Sequence, residues 1–197
     1  RTKVMQSLYG YYVSTDNAVS KHEKELMHSI ARFYDLFLFQ LSLLTEIMEA
    51  SLDYNERLKS KHQPGAKEKK ISELLSHNQI IIAISENKKI RELLNSRRIS
   101  WKGDVKIAEK IFRQFLNGFS ESDYEKLASR GFEKHKVALI VLLKKYISDF
   151  PALELYYEER SIFWADDIDM VNYILVKIVK TLKEETLHTA FESLEWE

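Results

Sequence analysis

Residues 26–52, LMHSIARFYDLFLFQLSLLTEIMEASL, decide the fold. Leu26, Ile30, Phe33, Phe37, Leu41, Leu44, Met48 and Leu52 recur every three or four residues, the period of one face of an α-helix. The spacing predicts a single long helix over residues 18–58 with one continuous buried stripe, and this helix should be the backbone of the structure. Its most apolar part, residues 33–44, is interrupted by Tyr34, Asp35, Gln40 and Ser42. That run falls short of the roughly 20 apolar residues a membrane helix needs, so it reads as a buried helix with no membrane partner.

Outward from this segment the composition agrees. With 45% hydrophobic residues in 197, the chain can bury a sizeable core. Only 5 Gly and 2 Pro punctuate it, which favours long helices over short strands and tight turns. The expected fold is all-α, a single domain forming a helical bundle with one long helix and several shorter ones. The 30 basic residues balance 30 acidic ones, so any attraction to nucleic acid must come from a local patch. The absence of Cys excludes a disulfide framework and thiolate chemistry and fits a reducing, cytoplasmic address. Nothing at the start resembles a signal peptide, and a chain beginning at Arg1 is read as continuing upstream.

A first helix is predicted over residues 2–13, with Val4, Leu8, Tyr11 and Tyr12 on its apolar face and Gly10 as a close-packing point. After the long helix, residues 59–70 carry Gln63-Pro64-Gly65 and many lysines, a mobile loop by composition. Helices follow over 73–85, 88–96 and, capped by Asp104, over 105–116, the last ending at Asn117-Gly118 with a left-handed C-terminal signal. Residues 132–147 hold seven consecutive apolar residues from 137 to 143, a helix buried on several sides. Pro151 opens the next helix, with Leu153, Tyr156 and Tyr157 inward. A final long helix starts near Asp166. Its seam is read as Met170, Tyr173, Ile174, Ile178 and Leu182, interrupted by Lys177.

The sharpest enzymatic pattern is a pair of E-x-x-H motifs, Glu25 to His28 and Glu185 to His188, because residues three apart share a helix face and such pairs hold iron in carboxylate bundles. Those bundles need a further Glu from each of two other helices, and residues 2–13 contain no acidic residue. Ordinary exposed polar residues are the preferred reading. His22, His62, His77 and His135 have no companion at ligand spacing, and no phosphate-binding glycine loop or nucleophile elbow occurs. No catalytic residue, metal site or cofactor is therefore expected, and the chain reads as non-enzymatic. Basic clusters remain: Arg57, Lys59, Lys61, Lys67, Lys69 and Lys70, then Lys88, Lys89 and Arg91, then Arg97, Arg98 and Lys102 beside Trp101. Each is either a solvated face or a set of phosphate contacts. Trp101 reads as a core anchor.

Arg1-Thr2-Lys3-Val4-Met5-Gln6-Ser7-Leu8-Tyr9 resembles the first helix of the NusB family of transcription antitermination factors, in which an arginine-rich start leads into Gln-x-Leu-Tyr. Residues 59–64, the segment from Glu86-Asn87-Lys88 to Ser100-Trp101, and residues 157–167 resemble a long variant of that family, with a helical bundle over 18–190 inserted after the first helix. The resemblance implies an RNA-binding protein that recognises boxA-type RNA together with ribosomal protein S10 (NusE), with no cofactor and no reaction. Carried onto this chain, it makes Arg1, Gln6 and Tyr9 the candidate RNA contacts, with Lys3 a basic extra beside them. Arginine offers bidentate contacts to phosphate or a base edge, glutamine reads an exposed base and tyrosine stacks on one. Tyr9 has a second reading as a core residue packed with Met5. Most of the arginine-rich start and the family's second helical half, with its Val-Ala-Ile-Asn-Glu and Phe-Val-Asn-Gly type motifs, have no counterpart here, so the likeness is to the N-terminal part of the family. The reading from a different class is a helical protein-interaction module using a groove along the long helix.

Overall fold

The computed structural model describes residues 2–14, 19–59, 66–120, 131–161, 163, 164 and 166–191. All regular structure among them is helical: α1 (Thr2–Val13), α2 (Val19–Lys59), α3 (Ala66–Ser76), α4 (Gln79–Glu86), α5 (Lys88–Ser96), α6 (Val105–Gly118), α7 (Phe132–Val141), α8 (Pro151–Arg160) and α9 (Ile168–Thr181). A π-helical stretch, Leu142–Ile147, extends α7. None of the described helices is long and apolar enough to cross a membrane.

The 41 residues of α2 run roughly 60 Å at 1.5 Å per residue. Residues 36–44 are buried without exception, which a one-sided stripe does not explain. Helices α3, α4, α5, α6 and α9 pack around α2 and cover every side of its middle. Apolar residues lying off the predicted stripe, Leu36, Leu38 and Leu43, are as buried as Phe37 and Leu41. Each fully buried leucine or phenylalanine here contributes about 1.5–3 kcal/mol from area removed from water. Towards its start α2 leaves the bundle, and Met27 and Ile30 are exposed.

An aromatic cluster fastens the chain's later part to this spine. Phe39 meets Trp101 edge-on at 5.6 Å and Trp164 at 5.3 Å, and Trp101 stacks on Tyr156 at 4.9 Å. The indole nitrogens donate, Trp101 Nε1 to Ser42 Oγ at 3.0 Å and Trp164 Nε1 to the Arg32 carbonyl at 2.8 Å. Trp101 is thus a core anchor, as its size and burial require.

Several sequence expectations are corrected. The mobile loop assigned to 59–70 is helix from Ala66 onward, because Ile71 and Leu75 insert into the core and draw the preceding lysines into a helical turn; residues 60–65 lie outside the described residues. The helix expected over 73–85 is two helices. Asn78 breaks it: its Oδ1 accepts the amides of Ile80 and Ile81 and its Nδ2 donates to the carbonyls of Leu74 and His135, so one buried side chain ends α3 and caps α4. Asp104 makes no capping bond to α6. Its carboxylate instead accepts from Arg160 at 2.9 Å and Tyr156 at 3.2 Å, tying the start of α6 to α8. Gly118 is not left-handed; the described glycines with positive φ are Gly103 and Gly131. A Cβ at Gly118 would stand 2.9 Å from the Tyr146 hydroxyl, so that glycine serves close approach to the π-helical turn. The seam of α9 is corrected in part: Leu182 is buried and Ile174 and Ile178 pack against the core as read, but the rest of the inner face differs. Val171, Asn172, Leu175, Val176 and Val179 face the core, while Met170 and Tyr173 are more than half exposed. The helix has apolar residues on both faces, and the residues that match Gln40 and the π-turn in shape and hydrogen bonding are the ones that turn inward.

A buried polar chain crosses this interior. Tyr157 Oη donates to Gln40 Oε1 at 3.2 Å, Gln40 Nε2 donates to Asn172 Oδ1 at 2.9 Å, and Asn172 Nδ2 donates to Ser148 Oγ at 3.2 Å. Burial pushes the Tyr157 phenol well above its ordinary range, so it stays a donor at any ordinary pH. Gln40→Leu strands the Tyr157 hydroxyl and the Asn172 carbonyl in an apolar interior. At roughly 1–3 kcal/mol for each of the two stranded groups, the variant is expected to lose about 2–6 kcal/mol in urea unfolding. A loss below about 0.5 kcal/mol would contradict the linkage.

His135 is buried on α7, and its Nδ1 has no hydrogen-bond partner among the described residues. Burial first, then the neighbouring Lys134 charge, lower its pKa from 6.5 to about 4. Below pH 6.5 the unfolded chain binds a proton that the folded chain refuses, so stability present above 6.5 is lost as pH falls toward 4. His135→Leu is expected to flatten the stability profile over that window, by on the order of 2 kcal/mol at its acid end. An unchanged profile would refute the assignment.

Candidate interaction surface

The hairpin of α1 and the start of α2 stands out because most of the exposed large apolar side chains among the described residues lie on it. Packing of α1 on α2 uses Lys3, Ser7, Gly10 and Tyr11, the partly covered residues of α1, with Ser14 just after it; of the predicted face only Tyr11 is covered, while Val4, Leu8 and Tyr12 are exposed. The seam is narrow and polar. Ser14 Oγ lies 3.2 Å from His22 Nε2, Tyr11 meets the His22 ring edge-on at 5.6 Å, and a Cβ on Gly10 would touch that ring at 3.8 Å. Small residues let the two helices approach, and the larger apolar ones are left outside.

One long-range bond fixes the other end of α1. Lys3 Nζ donates to Asp167 Oδ2 at 2.7 Å, with both side chains largely covered. Asp167 sits at the N-terminus of α9 and makes no capping bond of its own, so its charge faces both the helix's positive end and the lysine. Lys3, read as a basic extra beside the candidate RNA contacts, has its ammonium paired with Asp167, and the pair holds α1 to the bundle.

The outward face of α1 carries Met5, Gln6, Tyr9, Tyr12 and Val13. Tyr9 is 71% exposed and Tyr12 80%, which excludes the core reading of Tyr9. Gln6 and Tyr9, three apart, share that face and stand in solvent. Arg1 lies outside the described residues. On the flank, Val4, Leu8, Tyr11, Val19 and Leu26 line a largely apolar groove of about 230 Å³ between α1 and α2. Exposed apolar groups concentrated in this way mark contact surfaces.

Some members of the basic clusters have partners of their own. Arg97 donates to Asp35 at 2.6 Å and stacks over Tyr34 at 4.8 Å. Arg91 donates to the Glu86 carbonyl, Lys59 pairs with Glu56 and Lys88 with Glu92. Within 157–167, which carried part of the family likeness, several described residues are structural: Tyr157 and Trp164 are core, Arg160 covers Tyr156 at 4.4 Å, and Asp167 anchors α1. Among the described residues no three His, Asp or Glu converge on a metal position. His28 packs its ring on Phe163 at 5.5 Å, and Glu25 leans on His22 at 3.5 Å.

Fold and surface together define an all-helical bundle bearing an apolar, aromatic-rich helical hairpin. No family model, curated protein or solved structure matches this chain.

Lys3→Met leaves Asp167 without its cation. Because the pair is partly covered, its loss is expected to weaken the docking of α1 by about 1–2 kcal/mol. Amides of residues 6–13 should then exchange roughly tenfold faster while those of residues 38–44 keep their protection. Equal exchange of α1 in both proteins would show that the ion pair does not hold it.

Proposed function

We propose that this chain acts in transcription antitermination as a NusB-like, non-enzymatic RNA-binding protein, soluble and cytoplasmic, which contacts boxA-type single-stranded RNA through α1 and works together with ribosomal protein S10. The observation that carries the reading is the joint presentation of Gln6 and Tyr9 on the solvent face of α1. A glutamine amide and a phenol ring one helical turn apart are suited to reading and stacking an unpaired base, whereas paired RNA hides its base edges. The Lys3–Asp167 bond supports it by fixing the helix that presents them. The protein partner would take the adjoining apolar groove of α1 and α2, which has no use in RNA contact.

A second reading, a protein-interaction module without RNA binding, is favoured by the same groove and by exposed Met5, Tyr12 and Met27. The middle of α2 is not available to such a partner, since Phe37 and Leu41 are buried.

Binding of boxA-type and scrambled RNA of equal length to this chain, measured over a salt series, separates the two. Selective binding, weakened about tenfold or more by Tyr9→Ala and by Gln6→Ala, is the expected result, because stacking and base contacts each contribute about 1–3 kcal/mol. Absence of RNA binding, with binding to S10 retained, would establish the second reading instead.

A further inference from the structure

The predicted seam of α9 contained one misfit, Lys177, and the observed register explains it. Tyr173 and Lys177, four apart, and Lys180, three further on, point away from the core along one face of the helix. Opposite them, the π-helical turn carries Lys144 outward, and Ser148 follows it. The wider turn arises where the Ser148 amide donates to the Leu143 carbonyl five residues back, at 3.1 Å, and π-turns of this kind recur at functional positions. Lys144, Ser148, Asn172, Tyr173, Lys177 and Lys180 line the resulting groove of about 340 Å³.

The groove's chemistry is directional. Three lysines meet a single carboxylate, Asp169, at one end. Lys144, Lys177 and Lys180 have no salt bridge among the described residues, unlike Lys59, Lys88 and Lys136 elsewhere on the surface. Tyr173, 63% exposed, lies among them, an uncovered ring between cationic side chains. The floor is rigid: Asn172 is held by Gln40 and Ser148 through the buried polar chain, so the side chains above it stand on a fixed base. Asp167, just ahead of α9, is where Lys3 brings in the start of α1.

We propose that this groove is a second contact for single-stranded RNA, with Lys144, Lys177 and Lys180 neutralising successive backbone phosphates and Tyr173 stacking a base between them. The inference rests on the RNA reading of α1 and extends its footprint along α9. Cationic side chains interleaved with an exposed aromatic ring give affinity without sequence choice, which complements a helix that reads bases. The 14 residues of α9 provide roughly 20 Å of track.

The test uses this chain with labelled boxA-type RNA and its scrambled counterpart, titrated at several salt concentrations. Variants are Lys177→Ala with Lys180→Ala, Tyr173→Ala, and a control, Lys67→Ala with Lys70→Ala, on α3 outside the groove. All are exposed positions, and circular dichroism checks their folding. Removing two phosphate contacts should lower the magnitude of the log K against log salt slope by about 1.4 for both RNAs, with the control pair unchanged. Tyr173→Ala should weaken both RNAs about tenfold. An unchanged slope in the groove variant, or an equal fall in the control pair, would overturn the proposal. Selective binding that survives intact in the groove variants would sink the groove and leave the α1 reading standing. Unselective binding lost in the groove variants would do the reverse, and no RNA binding would dispose of both.

Discussion

Everything in this molecule depends on the burial of α2 between residues 36 and 44 on all sides at once. A helix can be surrounded in this way because its backbone hydrogen bonds are satisfied internally, so neighbours need only match it in shape and apolarity. Gln40 is the exception in the middle, an amide with no water to turn to. Tyr157 and Asn172 supply its partners, and that requirement selects which residues of α8 and α9 face inward. A polar residue in the core thereby sets the register of two helices far away in sequence, and through Asn172 it also sets the floor of the lysine groove.

The same spine separates stability from presentation. Its central part is immobilised by the surrounding helices and by the aromatic cluster of Phe39, Trp101 and Trp164. Its first third projects past that packing and carries α1 along one side, with exposed apolar residues on both helices. Such a hairpin gains little from burial, so the Lys3–Asp167 bond and the close Gly10–His22 approach matter more than their modest energies suggest. The arrangement leaves α1 folded and oriented while keeping Gln6 and Tyr9 in solvent.

Much of this was legible beforehand. The helical class, the ends of α1 and α2, the start of α8 at Pro151 and the burial of Trp101 follow from local periodicity and turn chemistry, which the chain alone carries. What escaped depends on long-range partners. Residues 170–179 are apolar on two faces, and only Gln40 and the π-turn decide between them. Asp104 looks like a cap until Arg160 claims it, and Gly118 looks like a helix stop until Tyr146 shows why no side chain fits. At the candidate site, Gln6 and Tyr9 were visible in the sequence. Lys3 had its pairing hidden 164 residues away. The groove was invisible because its lysines belong to two elements and Tyr173, which stands in solvent, was read as part of the buried seam.

The central proposal is that two surfaces, the outward face of α1 and the outer face of α9, linked through the Lys3–Asp167 bond, bind RNA together. Hydrogen exchange of this chain with and without boxA-type RNA tests it most directly. The account predicts slowed exchange confined to residues 2–13 and 168–181 and the turn around 144–148, with α3, α5 and α6 unchanged. Protection centred instead on the lysines of α3 or α5, or protection nowhere, would contradict it.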